Sequence, residues 1–124
     1  MLLSPPVGDA LQELGAAIRY RSGLSDRARE LAILVVADHW DSEFERWAHE
    51  PIARSLGVGD GPLSPEEETV VRIARALVTR QDLDEQEYAE LPASVLFELT
   101  TLVGYYSTLS LQLRVFRVTA PPSD

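Results

Sequence analysis

Cysteine is absent from the 124 residues of this chain. Its absence excludes disulfide bonds, thiolate nucleophiles, thiol-dependent peroxide reduction and cysteine-ligated zinc for the chain acting alone. Basic residues are also scarce, because 11 Lys and Arg stand against 20 Asp and Glu, giving a formal charge of -9. A surface that follows nucleic acid phosphates needs clustered positive charge, so we expect no nucleic acid partner.

Low-complexity runs are absent as well, and hydrophobic residues make up 45% of the chain against 25% charged residues. This balance is typical of a globular protein. The length suits one hydrophobic core, so we expect a single domain over residues 1–124 with a frayed tail at 120–124. The first residues show neither the basic nor the apolar segment of a secretory signal, and the cytoplasm is therefore the expected location.

Helix signals recur along the chain, and no segment offers a convincing strand to pair with the apolar run at 31–37. Most of the predicted helices open on a Ser or Asp cap, and their apolar residues recur at helical spacing. The predicted helices span residues 9–21, 25–37, 42–56, 64–80, 84–89 and 95–113, with caps at Asp9, Ser25, Ser42, Ser64 and Asp84. We therefore predict an all-α, single-domain bundle of about six helices.

Two interruptions shape the middle of the chain. The DHWD segment at 38–41 is predicted to end the second helix and to form a turn, with His39 as a turn residue. Pro51 lies inside the third predicted helix and is expected to kink or split it, because proline removes a backbone hydrogen bond. The glycine-rich loop at 57–62 lacks the lysine and hydroxyl spacing of a phosphate-binding loop and is interpreted as a connector.

The last predicted helix, residues 95–113, carries Glu98 as its only charged residue. Its 19 residues are long enough to span a bilayer, but threonine, serine and glutamine dilute the hydrophobicity and no flanking basic residues anchor it. We therefore expect no membrane partner. The surplus apolar surface is interpreted as contact with another subunit of an obligate oligomer.

Four polar residues, Glu30, Ser42, Glu45 and His49, stand where a buried pair of helices would hold them. If the chain turns at Asp41, Glu30, 11 residues before it, and His49, 8 residues after it, are brought side by side on the two antiparallel helices. Ser42, Glu45 and His49 follow steps of three and four residues and share one helix face. Two carboxylates and an imidazole in such a junction shift one another's protonation and form a proton-transfer set.

Each of these residues also has a purely structural explanation. Ser42 and Glu45 have the form of a capping box, which accounts for both completely. Glu30 and His49 can form a buried structural pair without any function. A metal site built from the two glutamates and the histidine is another alternative, but the paired Glu-x-x-His motifs of di-iron bundles are absent, and we expect no metal.

The segment at 14–53, which contains the runs RELAIL and HEPIA, resembles the carboxymuconolactone decarboxylase-like family. That family includes the alkylhydroperoxidase D peroxidases, and the Gly-Tyr-Tyr sequence at 104–106 resembles its last helix. The peroxidase branch has a glutamate, two cysteines and a histidine at fixed spacing. This chain keeps the spacing at Glu30, Ser42, Glu45 and His49, with serine and glutamate in place of the cysteines. The disulfide peroxidase chemistry therefore cannot be carried over.

The resemblance implies an alkylhydroperoxidase D-like helical domain that assembles as a homo-trimer or homo-hexamer, with pockets near the subunit contacts. The leading hypothesis is a small enzyme without a cofactor, a lyase or isomerase that acts on a small organic acid, lactone or related carbonyl compound. In this hypothesis, His49 is the general base or acid, Glu45 is the second proton-transfer group and Glu30 orients His49.

Three further residues complete the hypothetical substrate pocket. Ser42 is expected to donate a hydrogen bond, and Trp47 and Tyr105 are expected to line the pocket. Packing is an alternative role for both aromatic residues. For Trp47 this alternative follows from its position, about 100° around the helix from the polar face. The alternatives to the enzyme are a non-catalytic oligomeric binding or scaffold protein and a peroxidase that works without cysteine.

Overall fold

The computed structural model describes residues 3–122, which form six α-helices and contain no strand. The helices are α1 (Pro5–Arg21), α2 (Asp26–Trp40), α3 (Glu43–Ser55), α4 (Pro65–Arg80), α5 (Glu85–Ala89) and α6 (Ala93–Val115). The prediction of an all-helical domain with six helices is confirmed. Of the predicted frayed tail, residues 120–122 have no regular secondary structure, and residues 123–124 lie outside the described part of the chain.

Side-chain caps start four helices where the sequence predicts them. A backbone N–H three residues further on donates to each cap, at Ser25, Ser42, Ser64 and Asp84. The prediction was wrong for α1, which begins at Pro5 and not after Asp9. Prolines fit the first turn of a helix, where the backbone N–H has no intrahelical acceptor, so Pro5 and Pro6 extend α1 toward the N-terminus.

The break between α2 and α3 is shorter than the sequence suggests. α2 continues through Trp40, and Asp41 alone adopts the left-handed conformation, with φ 50° and ψ 49°. Aspartate tolerates this conformation better than most residues do. α3 is one continuous helix through Pro51, so the proline does not split it. The chain therefore folds into a tight helical hairpin over residues 26–55.

α2 is the central helix and packs against α3, α4 and α6. Its side chains at Ala28, Ala32, Ile33 and Val36 are fully buried, as expected for a helix covered on all sides. α6 buries one face against this core, through Leu99, Leu102 and Tyr106. The polar residues of α2 that face α3 are thereby held in a packed interior.

The outer face of α6 leaves large apolar side chains exposed, among them Phe97, Leu111 and Val115. Within residues 3–122, no helix has the combination of length and apolarity that crossing a bilayer requires.

Candidate acid–base site

The hairpin of α2 and α3 brings Glu30 to His49. His49 Nδ1 lies 2.7 Å from Glu30 Oε1, although 19 residues separate the two in the chain. Glu30 is 1% exposed, so this contact forms in the interior. The prediction that residues at equal distances from the turn meet across the hairpin is confirmed for this pair.

Arg29 holds the second oxygen of Glu30. Its Nε donates to Glu30 Oε2 at 2.8 Å, and its terminal nitrogen donates to the backbone oxygen of Arg19 and to Asp26. Burial raises the pKa of Glu30, but the hydrogen bonds from His49 and Arg29 outweigh that effect and hold the pKa below its usual value. Glu30 is therefore a carboxylate at neutral pH. Arg29 was not among the predicted site residues, although it immediately precedes Glu30 in α2 and its position in the sequence could have indicated this role.

Glu45 lies on the other side of the imidazole. Its Oε2 is 3.4 Å from His49 Nε2, an ion-pair distance that is longer than the hydrogen bond on the Glu30 side. Glu45 is 5% exposed. His49 therefore bridges two buried carboxylates, one from each helix of the hairpin.

Ser42 caps α3, but the capping box is only half formed. Ser42 Oγ accepts a hydrogen bond from Glu45 N at 3.3 Å, while Ser42 N donates to the Ala37 backbone oxygen and not to the Glu45 side chain. Helix capping therefore accounts for Ser42. It does not account for the carboxylate of Glu45, which turns toward His49.

His49 is positively charged at neutral pH in this environment. Burial lowers the pKa of an imidazole, but the contacts with Glu30 and Glu45 outweigh burial and raise the pKa of His49 to about 9. Both ring nitrogens then carry protons, so Nδ1 donates to Glu30 and Nε2 presents its proton to Glu45. The four charged groups, with Arg29 included, alternate in sign.

Tyr106 is the aromatic residue that contacts His49. The two rings pack edge to face, with centroids 5.4 Å apart and planes at 87°. Burial raises the pKa of Tyr106 to about 12, so its phenol is neutral at physiological pH. The sequence carried a signal for this residue, because Tyr106 follows Leu102 by four residues and Leu99 by seven and so lies on the same helix face.

Tyr105 and Trp47 lie apart from the charged chain. Tyr105 packs edge to face on Tyr106 and points toward α1, where an added Cβ at Gly15 would overlap its hydroxyl. Trp47 is 52% exposed and packs against the Phe44 ring. The role of both residues as walls of a substrate pocket stays a prediction.

A groove of about 280 Å³ runs beside Glu45, between the start of α3 and the end of α6. Its walls are largely apolar, and among the described residues that form them Glu45 is the only charged one; Phe44, Leu109, Leu113, Phe116 and Val118 supply most of the rest. Glu30 and His49 do not line this groove. Glu45 is thus the one member of the charged chain that a molecule in the groove would touch.

Across residues 3–122, no group of three or more His, Asp or Glu side chains has an arrangement that could hold a metal ion. Comparisons of the chain with protein-family models, with curated proteins and with solved structures gave no match.

Proposed function

We propose that this protein is a small acid–base enzyme that works without a cofactor and that Glu45 is the residue that exchanges a proton with the substrate. One observation carries the proposal: Glu45, whose buried carboxylate lies 3.4 Å from the imidazole of His49, is also a residue of the wall of an apolar groove. Buried carboxylates with a charged partner at the edge of a cavity are typical of catalytic sites.

The remaining charged residues act indirectly, by positioning one another and by placing a positive charge beside Glu45. Arg29 and His49 each hold one oxygen of Glu30, which fixes the carboxylate and thereby the ring of His49. Because the pKa of His49 is about 9, the ring is a cation at neutral pH and cannot accept a proton as a general base. His49 is therefore assigned the role of a fixed positive charge beside Glu45, and Glu30 is a positioning residue.

The reaction that suits this arrangement is proton transfer next to a carbonyl group. Glu45 removes a proton from the carbon beside the carbonyl, the C–H electron pair enters the enolate, and the carboxylic acid returns the proton to the same or another carbon. No electrons leave the substrate, so no oxidant or reductant is needed. Isomerisation of small organic acids, lactones and related carbonyl compounds is complete when the proton is returned. In a lyase reaction the enolate electron pair instead expels a leaving group from the neighbouring carbon. In a decarboxylation, the reaction that the resemblance to carboxymuconolactone decarboxylases implies, the C–C electron pair remains as the enolate when carbon dioxide leaves, and the carboxylic acid of Glu45 then protonates the enolate.

Hydrogen–deuterium exchange tests the proposal without knowledge of the physiological substrate. A panel of apolar oxo acids and unsaturated lactones is incubated with the protein in D₂O, and loss of the proton signal next to the carbonyl is followed by NMR. The native protein is expected to accelerate exchange in at least one compound, and Glu45→Gln to reduce that rate by about 100-fold or more, as for loss of a general base.

The matched control is Glu50→Gln. Glu50 is an exposed glutamate on α3 that pairs with the exposed Arg54, at 3.9 Å. Its variant should exchange at the native rate, and circular dichroism should show that both variants are folded. Native-like exchange by Glu45→Gln, or no acceleration with any compound, would contradict the proposal.

The second candidate is a non-catalytic oligomeric scaffold, favoured by the fact that Glu30 and His49 do not line the groove beside Glu45. The exposed apolar face of α6, with Phe97, Leu111 and Val115, would then contact other copies of the chain as a homo-trimer or homo-hexamer. Sedimentation equilibrium measures the assembly. A Phe97→Ser variant is expected to dissociate it, and a wild-type monomer would contradict this candidate.

A further inference from the structure

A second cavity, of about 290 Å³, lies at the N-terminal end of α3. Its walls come from Ser42, Glu43 and Phe44 on one side and from the end of α6 and the segment after it on the other. Phe44, Leu113 and Val118 border both this cavity and the groove beside Glu45. The two spaces therefore lie side by side and share a wall.

The N-terminal end of α3 has backbone N–H groups that are free to donate hydrogen bonds. The first intrahelical hydrogen bond runs from Arg46 N to Ser42 O, and Glu45 N is taken by Ser42 Oγ. The amides of Glu43 and Phe44 precede that bond, so helical geometry leaves them without an intrahelical acceptor. Together with the helix dipole, such amides favour an anionic group.

Ser110 adds an independent indication of a ligand. It is 3% exposed and lines the cavity, and its hydroxyl has no hydrogen-bond partner within the described chain. The threonines of α6 behave differently, since Thr100, Thr101 and Thr108 each donate to a backbone carbonyl of the preceding turn. A buried hydroxyl without a partner is costly, so its presence in a cavity wall indicates a partner supplied from outside the chain.

The charges around the cavity favour an anion with a single charge. Arg114 and Arg117 lie in the wall, where they donate to the backbone oxygens of Trp40 and Arg114 and keep further N–H donors. The acidic residues of the wall are Asp41, which pairs with Arg46, and Glu43. The Asp41–Arg46 pair is neutral, so the remaining charges of the wall are the guanidinium groups of Arg114 and Arg117 and the carboxylate of Glu43. Their sum is about one positive charge, which suits a carboxylate better than a phosphate dianion.

We propose that this cavity binds the carboxylate of a small organic acid whose apolar part passes Phe44 and Leu113 into the groove beside Glu45. The donors would be the Ser110 hydroxyl, the first amides of α3 and the guanidinium of Arg117. The direction of the apolar part rests on the proposed function, whereas carboxylate binding does not. The substrate is then an acid that has an apolar body and a C–H bond on the carbon next to a carbonyl group.

The probe for this site is hexanoate, with hexanol and inorganic phosphate as comparison ligands, and binding is followed by amide chemical shifts in NMR. Hexanoate should shift the amides of Glu43 and Phe44. Ser110→Ala is expected to weaken hexanoate binding about tenfold or more, because a hydroxyl that donates to a carboxylate makes a charged hydrogen bond. Arg117→Asn is expected to weaken it about tenfold or more, as for a charged hydrogen bond.

Two features of the variants make the comparison specific. Arg117 has φ 58°, in the left-handed region, and asparagine is the uncharged residue that tolerates this conformation best after glycine. Arg54→Gln removes the same charge from the exposed far end of α3 and is expected to leave hexanoate binding unchanged. Equal weakening by Arg54→Gln would mean a general charge effect and would overturn the inference.

Three further results would also overturn it: no binding of hexanoate to the native protein, equal binding of hexanol, or tighter binding of phosphate. Glu45→Gln separates the inference from the proposed function, because this variant should still bind hexanoate through Ser110 and Arg117. Intact hexanoate binding with no proton exchange contradicts the proposed function alone. Exchange that depends on Glu45, in a protein that does not bind hexanoate, contradicts the carboxylate site alone.

Discussion

His49 Nδ1 and Glu30 Oε1 are 2.7 Å apart, in a contact that joins the two antiparallel helices of the hairpin. The contact is buried, since the side chains of His49 and Glu30 are 12% and 1% exposed. Because Arg29 and Glu45 extend it on either side, a positive charge is held in the interior next to two carboxylates. This arrangement determines the protonation of the site and leads to the following predictions.

The imidazole of His49 should titrate far above the usual range. We expect a pKa of about 9 in an NMR titration of the ring protons. His39→Gln, which removes the only other histidine, assigns the signal. A His49 that loses its proton near pH 6.5, the value for a free imidazole, would show that the ring is not paired with the two carboxylates.

The same shift makes stability depend on pH. The pKa of His49 is higher in the folded state than in the unfolded state. Its contribution to the free energy of unfolding is therefore fully present below pH 6.5 and is lost as the pH rises through about 9. Its size is roughly 3 kcal/mol. The pKa of Glu30 is lowered on folding, so its contribution is present above the unfolded value and is lost as the pH falls. Urea unfolding between pH 5 and pH 10 should show the alkaline loss, and His49→Gln should abolish that part of it.

Glu30→Gln should destabilise the fold by about 3 kcal/mol, because it leaves the buried cations of His49 and Arg29 without their shared carboxylate. The pKa of His49 should fall in the same variant. Urea unfolding measures the first effect and NMR titration the second. Glu50→Gln, on the exposed surface of α3, is the control and should change neither quantity; a Glu30→Gln protein as stable as this control would rule out the pairing.

Two serines of α6 should respond in opposite ways to replacement by alanine. Ser107 Oγ accepts a hydrogen bond from Trp40 Nε1 at 3.0 Å, so Ser107→Ala should destabilise the fold by about 1 kcal/mol. Ser110 has a buried hydroxyl without a partner, so Ser110→Ala should leave the free energy of unfolding unchanged or raise it by about 1 kcal/mol. Unfolding in the absence of any added acid measures both. A clear loss of stability in Ser110→Ala would mean that its hydroxyl already has a partner within the protein.

Two glycines offer a similar comparison. A Cβ at Gly15 would overlap the hydroxyl of Tyr105, whereas a Cβ at Gly104 meets no atom within 4 Å. Gly15→Ala should therefore lower the melting temperature by several degrees, since about 1–3 kcal/mol is typical of overpacking. Gly104→Ala should leave it unchanged or raise it, because alanine stabilises helices by about 1 kcal/mol relative to glycine.

The sequence was sufficient to predict the six helices, most of their caps and the meeting of Glu30 with His49. These features depend on local spacing and on one turn. It was misleading at Asp9, because the fit of Pro5 and Pro6 to a first helical turn outweighed the later cap. It was also misleading at Asp38, His39 and Trp40, because the helix continues through all three residues and ends only at Asp41.

The sequence could not reveal the relation of α3 to α6. That packing decides that Tyr106 lies against His49, that Glu45 borders the groove and that the Ser110 hydroxyl is left without a partner. The expected role of His49 changes from proton acceptor to fixed cation for another reason: its contacts with Glu30 and Glu45 outweigh the effect of burial on its pKa, a balance that spacing along the sequence does not give. Such tertiary contacts have no counterpart in the periodicity of a single helix.

The pH profile of proton exchange tests the central claim most directly, because the claim is that Glu45 works beside a protonated His49. The exchange rate of the native protein should fall as the pH rises through about 9, the pKa of His49, and His49→Gln should exchange more slowly at neutral pH and show no such fall. A native exchange rate that keeps rising through this range, at the same pace as in His49→Gln, would contradict the claim.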